Sequence, residues 1–311
     1  MYMHKTSIVS RKKNCLIWAI DPHEKNLAPD DISFEILESQ NKGNRKKIIP
    51  TYVANKENAK SEDVTTEANK YIEKITAGQI DKAVVLSIPN RANVSPVKKL
   101  IHFAKQKGAE LIAVSSHGKT GLKRLFLGSF AENLLKESPL PVLFLTHDEP
   151  RSYASQKVLF ATDFSKESKK AFKEFLKFSK PFAYEVIIYH LVTDPYFGIT
   201  AGATAMAGAP TIDIQSELNE GEAWAKEQSK EWTRLATAVL PDVSVKTVIQ
   251  NYLGPVAPSI LEVASTENVG VIGMTTSVGI LQKSLFGSVA QSVFRAQFCP
   301  VWVAGSKALR T

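Results

Sequence analysis

The stretch Ser115-Ser116-His117-Gly118-Lys119-Thr120-Gly121-Leu122-Lys123-Arg124-Leu125-Phe126-Leu127-Gly128-Ser129 follows the apolar run Leu111-Ile112-Ala113-Val114 and precedes Phe130-Ala131-Glu132-Asn133-Leu134-Leu135. It then gives way to Pro139-Leu140-Pro141 and a second apolar run, Val142 to Leu145. The pattern predicts strand, glycine-bearing loop, helix, turn and strand. Glycines let backbone approach a ligand, and the first N–H groups of the following helix lack internal partners, so such a loop can hold phosphate. The same pattern also suits an ordinary strand-to-helix connection that needs glycine for its backbone angles. Ser129 with Glu132 matches a capping box, which places the helix start at Gly128-Ser129.

The unit recurs. Leu285-Phe286-Gly287-Ser288-Val289-Ala290-Gln291 matches Phe126 to Glu132, and Ser288 with Gln291 repeats the capping box. Pro300-Val301-Trp302-Val303 repeats Pro141-Val142-Leu143-Phe144, at the same separation from the glycine. Repetition over a whole supersecondary unit indicates duplication.

Outward from these stretches, apolar runs alternate with amphipathic helical segments. Strands are expected at 15–20, 47–54, 83–88, 111–114 and 142–145, with helices at 31–40, 62–76 and 94–107. After a polar, proline-bearing linker the pattern restarts with strands at 157–162, 184–192, 243–248, 269–273 and 300–304. A helix opened by Ser165 and Ser168, a long one at 214–239 and one at 256–264 lie between them. Continuous apolar strands alternating with helices indicate a parallel sheet covered on both faces. The boundaries expected are a first domain at 1–147, a linker at 148–155 and a second domain at 156–306. A Gly/Ala-rich loop, Pro195 to Pro210, has no counterpart in the first half. Its Gly and Ala content reads first as plain mobility, with a lid or a partner surface as the alternatives.

The chain has 311 residues, a net charge of +8 and two cysteines. That length suits two ordinary domains. No apolar run is long enough for a membrane span, and no secretory signal is evident. Cys15 and Cys299 sit in or beside apolar strands and read as buried thiols of a reducing cytoplasm, and no Cys-x-x-Cys or histidine pair offers a metal site. The basic residues are scattered without interleaved aromatics, so they read as solvated surface and not as a nucleic-acid footprint. Trp224 and Trp232, on the long helix, read as packing residues, and His117 has no partner for catalysis. Asp21 and Asp163 each end a first strand, at the edge where ligands of parallel sheets sit. Loop capping is the alternative role for both.

With these residues assembled, the chain resembles the universal stress protein family in its tandem form. The second half opens like a family member with Lys157-Val158-Leu159-Phe160-Ala161-Thr162-Asp163-Phe164-Ser165. The first half carries most of the family's nucleotide loop as Ser115, two residues, Gly118, nine residues, then Gly128-Ser129. The resemblance implies two tandem Rossmann-like domains of the adenine nucleotide α-hydrolase type. Each would be a five-stranded parallel sheet flanked by helices, and the two would pair through proline-led last strands. It also implies a cytoplasmic stress-response protein, not an enzyme, that binds ATP or AMP without a metal site, slow ATP hydrolysis aside.

Carried over residue by residue, the adenosine and phosphate positions are Asp21, Val53, Ser115, Gly118, Gly128 and Ser129. In the second half they are Asp163, Val192, Gly273, Gly287 and Ser288. Ser115 replaces the family's first glycine, and Thr276 stands where the second half's second glycine is expected, with a spacing to Gly287 one residue longer. The first half is therefore the expected nucleotide binder. A scaffold or chaperone-like protein with vestigial loops is the alternative, and homodimerisation stays open.

Overall fold

Side chains of a strand alternate between the two faces of a sheet, and both faces of the first strand are apolar. Cys15 and Ile17 point to one layer of helices, Leu16 and Trp18 to the other, and all four are buried. Only a strand covered on both sides can bury such a run. The computed structural model describes residues 15–23, 31–44, 46–54, 62–88, 94–115, 129–146, 156–192, 214–251, 254–276, 288–296 and 298–309.

The first half comprises β1 (Cys15–Ala19), α1 (Asp31–Asn44), β2 (Lys47–Ala54), α2 (Glu62–Thr76), β3 (Val84–Ser87), α3 (Pro96–Lys107), β4 (Ala109–Ser115), α4 (Ser129–Glu137) and β5 (Val142–Leu145). The second comprises β6 (Lys157–Ala161), α5 (Lys166–Ser179), β7 (Glu185–Val192), α6 (Ile214–Val239), β8 (Ser244–Asn251), α7 (Val256–Thr266), β9 (Val271–Thr275), α8 (Ser288–Ala296) and β10 (Val301–Ala304). Helix ends follow local chemistry. Ser95 caps α3 by accepting the Lys98 N–H at 3.2 Å, Pro96 fills its first turn, and Gly108 closes it at φ 69°. Ser165 caps α5 by accepting the Ser168 N–H at 3.1 Å.

The strands form one ten-stranded sheet in the order β3-β2-β1-β4-β5-β10-β9-β6-β7-β8. Pairing is parallel within each half, and the halves join through antiparallel β5 and β10. The two halves are thus mirror-ordered copies fused at their last strands, and no strand edge is left open at the junction. Each face carries a core cluster that draws residues from both halves. Around the junction, Phe144 meets Phe294 edge to face at 4.6 Å, and Trp302 stacks over Phe178 at 6.4 Å. Gln40 of α1 donates to the Phe178 carbonyl of α5 at 2.7 Å, a buried hydrogen bond between halves. A Cβ on Gly305 would lie 2.6 Å from the Leu135 carbonyl oxygen, so glycine permits the chain after β10 to cross α4.

Cys15 and Cys299 are both buried, and neither is in a disulfide. Burial pushes the Cys15 thiol above its ordinary value, with Glu110 adding to the effect. Among the described residues no helix is long and apolar enough to cross a membrane. No group of three or more His, Cys, Asp or Glu side chains among them could hold a metal ion.

Candidate functional site

In each half the chain leaves the first strand for one side of the sheet and later returns to the other. This reversal opens a crevice at the carboxyl ends of the first and fourth strands, the usual ligand position in such sheets. In the first half those strands are β1 and β4, which end beside Asp21 and Ser115. In the second they are β6 and β9, which end beside Asp163 and Thr275. Val53 lies near the end of β2, alongside.

Strand register aligns the halves residue by residue and corrects two positions read from sequence. Ser115 pairs with Leu145, and Thr275 with Ala304. The Ile112 N–H donates to the Pro141 carbonyl at 3.1 Å, and the Ile272 N–H to the Pro300 carbonyl at 3.0 Å. The position equivalent to Ser115 is therefore Thr275, not Gly273, and Thr276 matches Ser116 and does not replace a loop glycine. The connection from Thr275 to Gly287 is one residue shorter than that from Ser115 to Gly128. Gly273 instead matches Ala113, and it has a packing reason to be glycine. A Cβ there would lie 2.6 Å from Phe175 and 2.8 Å from Phe160.

The second correction concerns β7. The Ile20 N–H donates to Thr51, and the Thr162 N–H to Tyr189, at 3.0 and 2.9 Å. Val53 therefore corresponds to Leu191, and Val192 to Ala54. Val192 is buried with its side chain beneath Gly221 of α6, where a Cβ would come within 2.6 Å.

The two aspartates occupy equivalent turns. Asp21 Oδ1 accepts the His23 N–H at 3.1 Å, and Asp163 Oδ1 accepts the Ser165 N–H at 3.0 Å. Each carboxylate thus holds the turn that starts its loop, as the capping alternative expects. Gly118, Gly128 and Gly287, and the basic residues after Gly118, lie outside the described residues, as do His117 and the Pro195 to Pro210 loop. Ser129 opens α4 and is exposed; Ser288 opens α8.

Three residues that the sequence reading passed over as site components gather at the second crevice. Phe164 sits beside Asp163 with φ 57°, an uncommon angle for a bulky residue, and its N–H donates to Thr162 Oγ1 at 2.8 Å. Its ring lies 4.7 Å from His190 and 5.8 Å from Trp224. Trp224 is 48% exposed, so it is not the core packing residue expected; Trp232 is, stacked 4.9 Å from Phe172 and almost fully buried. His190 Nδ1 donates to the Thr162 carbonyl at 2.8 Å, which leaves Nε2 as the nitrogen with the lone pair. Burial pushes His190 below its ordinary value, against the opposing effects of that hydrogen bond and of Asp163. In the first half Tyr52 stands at this register, edge to face with His23 at 5.6 Å. Only Trp224's place on a longer helix hinted at this cluster; the contacts depend on how far α6 overhangs β7.

A tandem α/β fold with duplicated switch-point crevices defines the class. The sequence model of the universal stress protein family matches residues 36–145 and 154–305, and the chain belongs to this family. Universal stress protein MJ0577 of Methanocaldococcus jannaschii is 32% identical over 93 residues, 28% of this chain and 53% of that protein. Universal stress protein MJ0531 of the same organism is 46% identical over 48 residues, 15% of this chain and 28% of that protein. The chain thus spans about half or less of the length of these curated relatives. A crystal structure of a universal stress protein from Archaeoglobus fulgidus has 21% identity and a TM-score of 0.56, covering 94% of this chain and 97% of that one. A putative universal stress protein from Pseudomonas aeruginosa has 13% identity and a TM-score of 0.62, covering 97% and 96%. These two likenesses establish the fold.

Proposed function

We propose that this universal stress protein binds an adenine nucleotide, ATP or AMP, in the first-half crevice, and that it acts in a cytoplasmic stress response by binding, not catalysis. The observation that carries this reading is the adjacency of Asp21 and Ser115 at the reversal of strand order, with the glycine loop leaving directly from Ser115. Asp21 offers a carboxylate acceptor to a ribose or base, Val53 a backbone contact, and Gly118, Gly128 and Ser129 the backbone that would meet phosphates. In the second half the corresponding positions are Asp163, Leu191, Thr275, Gly287 and Ser288. The shorter loop and the overhanging α6 make that crevice the weaker candidate. We keep 1–147 and 156–306 as the two functional units and foresee no nucleic-acid partner.

The test is thermal unfolding with ATP and with AMP, alongside mass spectrometry of small molecules released from the freshly purified protein. A ligand at about 100 times its dissociation constant adds about 2.7 kcal/mol, so a clear rise in Tm is expected, lost in Gly128→Arg and Asp21→Ala. An unchanged Tm at millimolar ATP and AMP overturns the proposal. The second reading, a scaffold with vestigial loops, is favoured by both aspartates being engaged in their own turns. Partners that co-purify without nucleotide would support it.

A further inference from the structure

A cavity of about 530 Å³ opens at the amino end of β1, the opposite end from Asp21, where the first half meets the chain that follows β10. One wall is α5, whose exposed Lys170, Lys173 and Lys177 recur at spacings that share a helix face. Pro139-Leu140-Pro141 form an apolar bank of the same cavity, which Leu111 and Trp302 also line. Four lysines and two glutamates line the cavity. Lys46 pairs with Glu110 and Lys177 with Glu174, both at 2.7 Å. Lys170 donates only to the Leu309 carbonyl, at 3.3 Å, and Lys173 has no hydrogen-bond or ion-pair partner among the described residues. Among the described residues, α5 therefore presents two ammonium groups without a carboxylate partner, while the rest of the lining combines the apolar Pro139-Leu140-Pro141 bank with the paired Lys46 and Glu110.

That asymmetry selects its occupant. A neutral apolar molecule would gain nothing from the two ammonium groups, and a polyanion would set charge against the Leu140 bank. The volume falls in the range of small-molecule sites and is too confined for a folded partner. We propose that this groove binds a medium-chain fatty carboxylate, its head between Lys170 and Lys173 and its chain along Leu140 and Trp302. The site is separate from both crevices and does not depend on nucleotide binding.

The experiment is isothermal titration of the full chain with dodecanoate, kept below its critical micelle concentration. One dodecanoate is expected per chain. Lys170→Glu with Lys173→Glu should weaken it by about tenfold or more, a difference on the scale of one lost charge contact. Both lysines are exposed, so the double variant should keep the parent's thermal unfolding. Leu140→Asp should weaken binding as well, and dodecanol and dodecylammonium should bind at least about tenfold less tightly than dodecanoate. The proposal is overturned if the double variant binds dodecanoate as the parent does, if dodecanol binds equally well, or if an acidic peptide binds where dodecanoate does not.

Discussion

The two halves share strand order, register and the turn built on their first aspartate, yet they finish their crevices differently. The helix between the second and third strands has 15 residues in the first half and 26 in the second. The extra length carries α6 past the end of β7, where Gly221 rests on Val192 and Trp224 meets Phe164 and His190. In the first half Tyr52 meets His23 edge to face, and His23 pairs with Glu67 of the shorter α2. Duplication has thus kept what the sheet requires and let the loops over its carboxyl edge diverge. Strand register is set by burial on both faces and tolerates no slip. Loops at the edge answer only to what they cover.

The two halves differ most visibly in the core. The second half concentrates Phe160, Phe172, Phe175 and Trp232 on one face. Trp232→Ala is expected to cost about 3–5 kcal/mol, read by urea unfolding. A cost below about 1 kcal/mol would mean that the face relaxes around the loss. Next comes the matched pair at the centre of the fourth strands. Gly273→Val should destabilise by about 1–3 kcal/mol, because Phe175 and Phe160 occupy the space for its side chain. Ala113→Gly, which gives the first half the second half's residue, should cost only about 1 kcal/mol. Equal costs would show that the two positions are not distinguished by packing. At the helix starts, Ser95→Ala and Ser165→Ala should each lose about 1 kcal/mol, since each hydroxyl accepts one otherwise unpaired helix N–H. A loss confined to one variant would show that the caps are unequal.

The smallest effect separates the crevices by pH. Burial holds His190 below its ordinary 6.5, so between that value and the folded one the unfolded chain binds the extra proton. The stability tied to neutral His190 is fully present above 6.5 and falls away as the pH drops below it. His190→Tyr, which copies Tyr52, should therefore reduce the loss of Tm between about pH 7.5 and pH 5.5. An unchanged loss would place the acid sensitivity elsewhere. In the first half Tyr52 stands at this register and His23 is exposed.

By itself the sequence determined the alternation of buried strands and amphipathic helices, the duplication, and the aspartate that ends each first strand. These are local signals: periodicity, caps, and apolar runs that only a doubly covered sheet can bury. The loop of Ser115 to Ser129 is readable as a motif, but where its echo begins is not, because glycine counts do not say which strand residues pair. The tertiary structure decided that Thr275 stands for Ser115, that Leu191 stands for Val53, and that Gly273 is glycine to make room for Phe160 and Phe175. It also decided that Trp224 reaches the second crevice and that Lys170 and Lys173 share a cavity with an apolar bank from the other half. Those relations join residues far apart in the chain, and only the pairing of β5 with β10 and the packing of helices on the sheet bring them together.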